Sequence, residues 1–264
     1  MSGKPTRPLI TLLTDFGLKD HFAGVLKGVI ASIAPETRVI DISHEVEPYG
    51  VTQAQFLLSQ SWPYFPQGTI HLAIVDPGVG GARRPIFVEA YGHRFVGPDN
   101  GVFGDLMTAP MAKVRVIANS GLFLPDVSAT FHGRDVFAPV CAHLSLGVAA
   151  ASIGPLIRDA VRRTAGQAVQ TSATAWTGEI IHVDRFGNLI TNLSLNCITQ
   201  KGRFVLKVAS YELRDQAASY SDILRGQAAV VAGSSGFLEI AANQDSAARL
   251  LGLGVGARTE LNLE

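Results

Sequence analysis

Leu9–Leu13 is a nearly continuous apolar run, the pattern of a strand buried on both faces of a parallel sheet. Phe22–Ile33 changes period, with apolar residues at Phe22, Val25, Leu26, Val29, Ile30 and Ile33, which predicts a helix with one apolar face. Val39–Ile42 reads as a strand and Val51–Trp62 as a second helix. Thr69–Val75, Ile86–Ala90, Arg94–Val96 and Val114–Ile117 read as strands, and Val136–Leu146 as a helix. This alternation predicts an α/β N-terminal domain, residues 1–165, with a mostly parallel central sheet. From about Thr171 the period shortens. Gly178–Val183, Leu189–Leu193, Arg203–Val208, Ala228–Ala232, Phe237–Ala241 and Thr259–Leu263 are short strands parted by turns, with a lone helix at Ser246–Leu251. That pattern predicts an all-β C-terminal domain, residues 171–264, closed as a small barrel. The polar stretch Arg158–Ser172 reads as the linker.

Charge removes one class of partner. The 264 residues hold 22 basic and 22 acidic side chains, with no basic run, so nucleic acid finds no electrostatic footprint. The longest apolar stretch, near Val148–Ile157, is too short to span a bilayer. Cys141 and Cys197 lie far apart, outside any zinc-type spacing. Two isolated cysteines and a short polar N-terminus fit a cytoplasmic protein. The histidines are scattered, without an H-x-x-x-H or H-E-x-x-H group, so no metal ligand set is expected. A phosphate-binding G-x-x-x-x-G-K loop is absent from the sequence, which argues against nucleotide triphosphate chemistry.

The candidate chemistry sits where predicted strands end. Asp15 follows the first strand, in Leu13-Thr14-Asp15-Phe16-Gly17, the usual place for a ligand group in an open α/β sheet. One carboxylate accepts two hydrogen bonds at once, which suits the paired hydroxyls of a ribose. Asp76 follows the apolar run Ile70–Val75, and a turn of Pro77, Gly78, Gly80 and Gly81 leads to Arg83 and Arg84. Phe131-His132-Gly133-Arg134-Asp135 opens a helix, and His132 there is either a ligand-facing group or a structural residue. Asp20 reads as a helix N-cap. Gly97-Pro98-Asp99-Asn100-Gly101 reads as a turn. In the β domain, Asp184-Arg185-Phe186-Gly187-Asn188 and Gly233-Ser234-Ser235-Gly236 are hairpin turns or, equally, ligand loops. Asn188 offers a donor and an acceptor in one plane, which suits a purine.

In this order, T-D-F-G, V-D-P-G-V-G with an arginine seven residues after its Asp, G-P-D-N-G, F-H-G-R-D, D-R-F-G-N-L-I-T-N and S-S-G-x-L-E-I-A-x-N resemble the S-adenosyl-L-methionine (SAM) hydroxide adenosyltransferases. These SAM hydrolases are related to the fluorinase and chlorinase, and the likeness runs from about residue 9 to 264. It implies hydrolysis of SAM to adenosine and L-methionine, with SAM as substrate and no cofactor. It implies a homotrimer with sites between subunits. By position, Asp76, Arg83 and His132 match the set that holds the attacking water. Asp15 matches the ribose-binding residue, and Tyr49 an aromatic beside the substrate. Asp184, Asn188 and Ser234 match substrate contacts, and Glu239 is a further candidate for the methionine end. The fluorinase has Tyr where this chain has Asp76, and Tyr-Ser where it has His132-Gly133, so the resemblance points to the hydroxide branch. A halogenase, a non-catalytic SAM or adenosine sensor, and a metal-dependent phosphoesterase are the competing readings.

Overall fold

The computed structural model describes residues 9–163, 166–198 and 203–264, which form two compact units divided at residues 164 and 165.

The first unit holds strands β1 (Leu9–Thr14), β2 (Arg38–Ser43), β3 (Ile70–Ile74), β4 (Pro85–Ala90), β5 (His93–Pro98), β6 (Lys113–Val116) and β7 (Leu156–Ile157). Its helices are α1 (Phe22–Ile33), α2 (Val51–Ser61) and α3 (Ala138–Ser145). The sheet order is β2-β1-β3-β5-β4-β6-β7. All six residues of β1 are buried, as the apolar run requires. Ile10 and Leu12 pack in one core with Leu26 and Ile30 of α1 and Val140 of α3. Leu13 faces the other way, into a core with Ala54 and Leu58 of α2. The sheet is therefore covered on both faces, and its strand ends carry the polar groups. On the α2 side a buried polar chain runs from Thr11 Oγ1 to His71 Nδ1 (2.8 Å) and from His71 Nε2 to His93 Nδ1 (3.2 Å). Burial, and then the neighbouring His93, push the His71 ring down to about 3.

The sheet is not mostly parallel. β1–β2, β1–β3 and β3–β5 are parallel, but β5–β4, β4–β6 and β6–β7 are antiparallel. Only Tyr91 and Gly92 join β4 to β5, both at positive φ (52° and 77°). Two such residues make a tight hairpin, whereas a parallel crossover needs a dozen or more. Two smaller expectations also change. His21, not Asp20, occupies the N-cap position of α1, and no side chain caps it. The expected linker is largely structured: Asp159 pairs with Arg84, Val161 N–H donates to Asp99 Oδ1 (2.8 Å), and Val169–Ser172 is strand β8.

The second unit continues with β9 (Ala175–Val183), β10 (Leu189–Ser194), β11 (Phe204–Val208), β12 (Tyr211–Leu213), β13 (Gln216–Ala217), β14 (Ala228–Ala232), β15 (Phe237–Ala242), α4 (Ala247–Leu251) and β16 (Arg258–Leu263). Its ladder runs β12-β11-β16-β9-β10-β15-β14-β13, with β8 beside β9. Ile180, Leu189, Leu206, Leu238, Ile240 and Leu261 fill its core. The outermost strands, β12 and β13, are parted by only Arg214 and Asp215 in sequence, so the sheet curls back toward itself. Among the described residues no strand pairing joins these edges, so the expected barrel is a curled sheet without a closing ladder.

Candidate active site

Three loops meet beyond the carboxyl ends of β1 and β3, the usual place for a site in such a sheet. Asp15 leaves β1, and Asp76 leaves β3 after Val75. His132 precedes a single π turn, Gly133–Phe137, that leads into α3. Turns of that kind are enriched at functional sites. Arg83 links the second and third loops. Its Nε donates to Asp76 Oδ1 (2.9 Å) and its Nη2 to Asp76 Oδ2 (2.5 Å), a bidentate pair. The same Nη2 donates to His132 Nδ1 (2.9 Å). The side chains of Arg83 and Asp76 are 9% and 6% exposed, so the pair is nearly removed from water.

That hydrogen bond fixes a tautomer. A guanidinium has donors only, so His132 Nδ1 must be the acceptor. The proton of a neutral ring then sits on Nε2. Burial, followed by the charge of Arg83, holds His132 below the usual imidazole range, against the opposing pull of Asp76 and Asp135. His132 is thus a neutral N–H donor at neutral pH, while Asp76 retains lone pairs beyond the two that Arg83 engages.

Asp15, Tyr49, Asp76 and His132 all line one cavity of about 630 Å³. Asp15 Oδ2 accepts from the Tyr49 backbone N–H (2.9 Å). Burial raises the Asp15 pKa, the Tyr49 N–H opposes that rise, and Asp76 adds to it. Tyr49 has φ 68° and a side chain standing out in solvent, 72% exposed. That backbone conformation costs a non-glycine residue about 1–3 kcal/mol and clusters at ligand sites. Phe16, Phe22 and Phe131 form an aromatic wall, with ring centroids 5.3–5.9 Å apart. Nothing in the sequence marks these three rings as a wall, although Phe16 and Phe131 stand inside T-D-F-G and F-H-G-R-D. Gly80 explains part of the glycine-rich turn. Its φ is +74°, and a Cβ there would lie 2.2 Å from the Ala129 carbonyl oxygen. The turn after Asp76 therefore presses directly on the loop before His132.

The second unit holds the remaining candidates. Asp184 Oδ1 accepts from the backbone N–H groups of Phe186 (2.9 Å) and Asn188 (2.8 Å), and Asp184 Oδ2 accepts from Asn188 Nδ2 (2.8 Å). The Asp thus builds its own turn and consumes one amide proton of Asn188. A second cavity, about 650 Å³, is lined by Phe186, Asn188, Tyr220 and Gln244 among others. Glu239, 5% exposed, accepts from Tyr220 Oη (3.0 Å) and Ser235 Oγ (3.3 Å). Burial raises its pKa against those two bonds, and Asp184 adds to the rise. Burial and then Glu239 push Tyr220 up to about 12. Tyr220 lies in a polar stretch without periodicity, so nothing in the sequence marked it. Ser234 is exposed at the tip of the β14–β15 turn. Among the described residues no group of three or more His, Cys, Asp or Glu is placed to hold a metal.

An Arg83-bridged Asp76–His132 pair thus lines a cavity walled in part by aromatic rings, the geometry of a candidate active site. Models of the SAM hydroxide adenosyltransferase N-terminal and C-terminal domains match residues 10–154 and 178–260. The chain belongs to the SAM hydroxide adenosyltransferase family. It is 39% identical to the (R)-S-adenosyl-L-methionine hydrolase of Salinispora tropica, covering 95% of this chain and 96% of that protein. It is 36% identical to the protein of the same name from Thermus thermophilus, covering 96% and 98%. A fluorinase of Actinopolyspora mzabensis is more distant, 24% identical over 94% and 95%. The crystal structure of an uncharacterized conserved protein from Thermotoga maritima superposes with a TM-score of 0.88 at 36% identity, covering 96% of this chain and 99% of that one.

Proposed function

We propose that the protein hydrolyses SAM to adenosine and L-methionine, with Asp76, Arg83 and His132 acting on the attacking water. The observation that carries this reading is the Arg83 bridge between Asp76 and His132 beside the cavity that Asp15 also lines. Water oxygen attacks the ribose 5′ carbon opposite sulfur. The carbon–oxygen bond forms, the carbon–sulfur bond breaks, and its electron pair leaves on sulfur as the neutral thioether of methionine. No acid is required for that leaving group, so the work falls on the nucleophile.

Bulk water has a pKa near 15.7, so free hydroxide at pH 7 would cost about 12 kcal/mol. The proton therefore moves late, as the new bond forms, to a general base typically worth roughly 10²–10⁴-fold. Arg83 stays protonated and cannot be that base. His132, with Nδ1 committed to Arg83, offers an N–H from Nε2 and orients the water oxygen. Asp76 is left as the proton acceptor, with Arg83 orienting it. In-line positioning in a partly dry pocket supplies the remainder.

Asp15 is read as the ribose-hydroxyl ligand and Tyr49 as the aromatic beside it. Asn188 and Asp184 serve the adenine and the methionine end, with Ser234 and Glu239 as further methionine contacts. No metal or other cofactor enters the scheme. Purified protein given SAM should yield adenosine and methionine by chromatography, with a chelator making no difference. Methylthioadenosine, S-adenosylhomocysteine or, with added chloride, chlorodeoxyadenosine as main product would refute the assignment.

The working assembly we propose is a homotrimer, the first unit of one subunit meeting the second unit of the next. The family resemblance supports it. Co-assembled Asp76→Ala and Asn188→Ala chains should then regain activity that neither has alone, through hybrid sites. Mixed trimers that stay inactive would count against shared sites. A reducing compartment, the cytoplasm, fits the free Cys141 and Cys197, and cell fractionation checks it.

A further inference from the structure

The turn that follows β5 has no part in the chemistry above, yet it touches both ends of the catalytic loop. Asn100 Nδ2 donates to the Val75 carbonyl (2.7 Å), the peptide group immediately before Asp76. Asp99 Oδ2 accepts from Arg84 Nε (3.0 Å) and Nη2 (2.7 Å), and Arg84 immediately follows Arg83. The Asp99 backbone N–H also donates to the Arg84 carbonyl (2.9 Å). Two consecutive residues thus grip the two positions that flank Asp76 and Arg83.

Topology makes this reach possible. β5 lies between β3 and β4, parallel to the first and antiparallel to the second. Its carboxyl end therefore adjoins both the exit of β3, which carries Asp76, and the entrance of β4, which Arg83 and Arg84 precede. A fully parallel sheet would place only one of those ends there.

The grip is itself held. Val102 N–H donates to Asn100 Oδ1 (3.2 Å), so the amide is fixed at both ends. The second oxygen of Asp99, a residue 6% exposed, accepts from Val161 N–H (2.8 Å). The outer side of Arg84 is held by Asp159 (3.0 and 3.1 Å). A Cβ on Gly101 would sit 2.6 Å from Arg163 Cβ, so residue 163 is packed hard against this turn.

We propose that Asp99 and Asn100 are positioning residues, which set the separation and aim of Asp76 and Arg83 by holding Val75 and Arg84. They contact neither water nor substrate, and the kinetic consequence rests on the proposed SAM hydrolysis. A displacement of about 1 Å in such a constellation can cost roughly 10²-fold in rate.

The test uses the near-isosteric variants Asn100→Asp and Asp99→Asn in the full chain. Per folded molecule, the single-turnover rate should fall about 10–100-fold while calorimetric SAM affinity stays within about threefold. In an Asp76→Ala background, Asn100→Asp should cost less than about threefold more, because its effect runs through Asp76. By NMR, the Arg83 Nε proton, held on Asp76 at 2.9 Å, should exchange at least about tenfold faster in either variant. Unchanged rate and exchange, or losses that multiply in the Asp76→Ala background, would overturn the proposal. If the parent protein leaves SAM intact, the functional reading fails and Arg83 exchange decides this one alone. If neither variant folds, the turn serves stability and the proposal falls.

Discussion

Replacing Arg83 with Met should lower kcat by about 10³-fold, the scale set by removing a preorganised charged donor, with SAM affinity little changed. The guanidinium holds both oxygens of Asp76 and the Nδ1 of His132 at once, so no other single side chain organises as much of the site. Lys in its place should recover little, since a point charge cannot fork to two oxygens and a ring nitrogen together. Loss of the guanidinium also leaves a carboxylate that is only 6% exposed without its partner, a change that costs about 3 kcal/mol or more in other proteins. Thermal melting of Arg83→Met should therefore fall as well, and rates are to be compared per folded molecule.

The same variant makes a signed pH prediction. Burial is the larger cause of the lowered His132 pKa and the charge of Arg83 the next. Removing Arg83 leaves burial in place and should move the His132 titration upward, part of the way to 6.5. An NMR titration of the His132 ring should therefore have its midpoint at higher pH in Arg83→Met than in the parent protein. A downward shift or none would mean that Arg83 does not govern the ring.

Much of the first unit was legible because single segments carry their own signal. The apolar spacing of Phe22–Ile33 coincides with α1, and the unbroken run at Leu9 marks β1. The overestimate of parallel order came from reading Ile86–Ala90 and Arg94–Val96 as separate buried strands. Their sequence spacing held the correction, since Tyr91-Gly92 is long enough only for a hairpin. β7 and β13, each two residues long, have no period to read. The site divides along the same line. Asp15 and Asp76 were marked by standing at strand ends. The hydrogen bond from Arg83 to His132 spans 49 positions and depends on how three loops converge, so only the resemblance linked them beforehand. Asp99 and Asn100 looked like ordinary turn residues because their partners, Arg84 and Val75, adjoin them only in the folded sheet.

The division between Asp76 and His132 gives the sharpest test of the chemistry. If Asp76 takes the proton, Asp76→Asn should lose about 10²–10⁴ in kcat, because an amide of the same shape cannot serve as base. His132→Gln should lose far less, about tenfold. A glutamine amide can still accept from Arg83 through oxygen and donate through nitrogen, which are the two tasks the neutral ring performs. His132→Ala removes both and should fall well below the Gln variant. In the double variant Asp76→Asn/His132→Ala the loss should be smaller than the product of the single losses, since the two groups hold one water. Single-turnover rates beside calorimetric SAM binding measure all four variants on one scale. The opposite ranking, with Asp76→Asn near normal and His132→Gln inactive, would transfer the base role to the imidazole. It would then require that Arg83 release Nδ1, or that Nε2 lose its proton, when substrate binds.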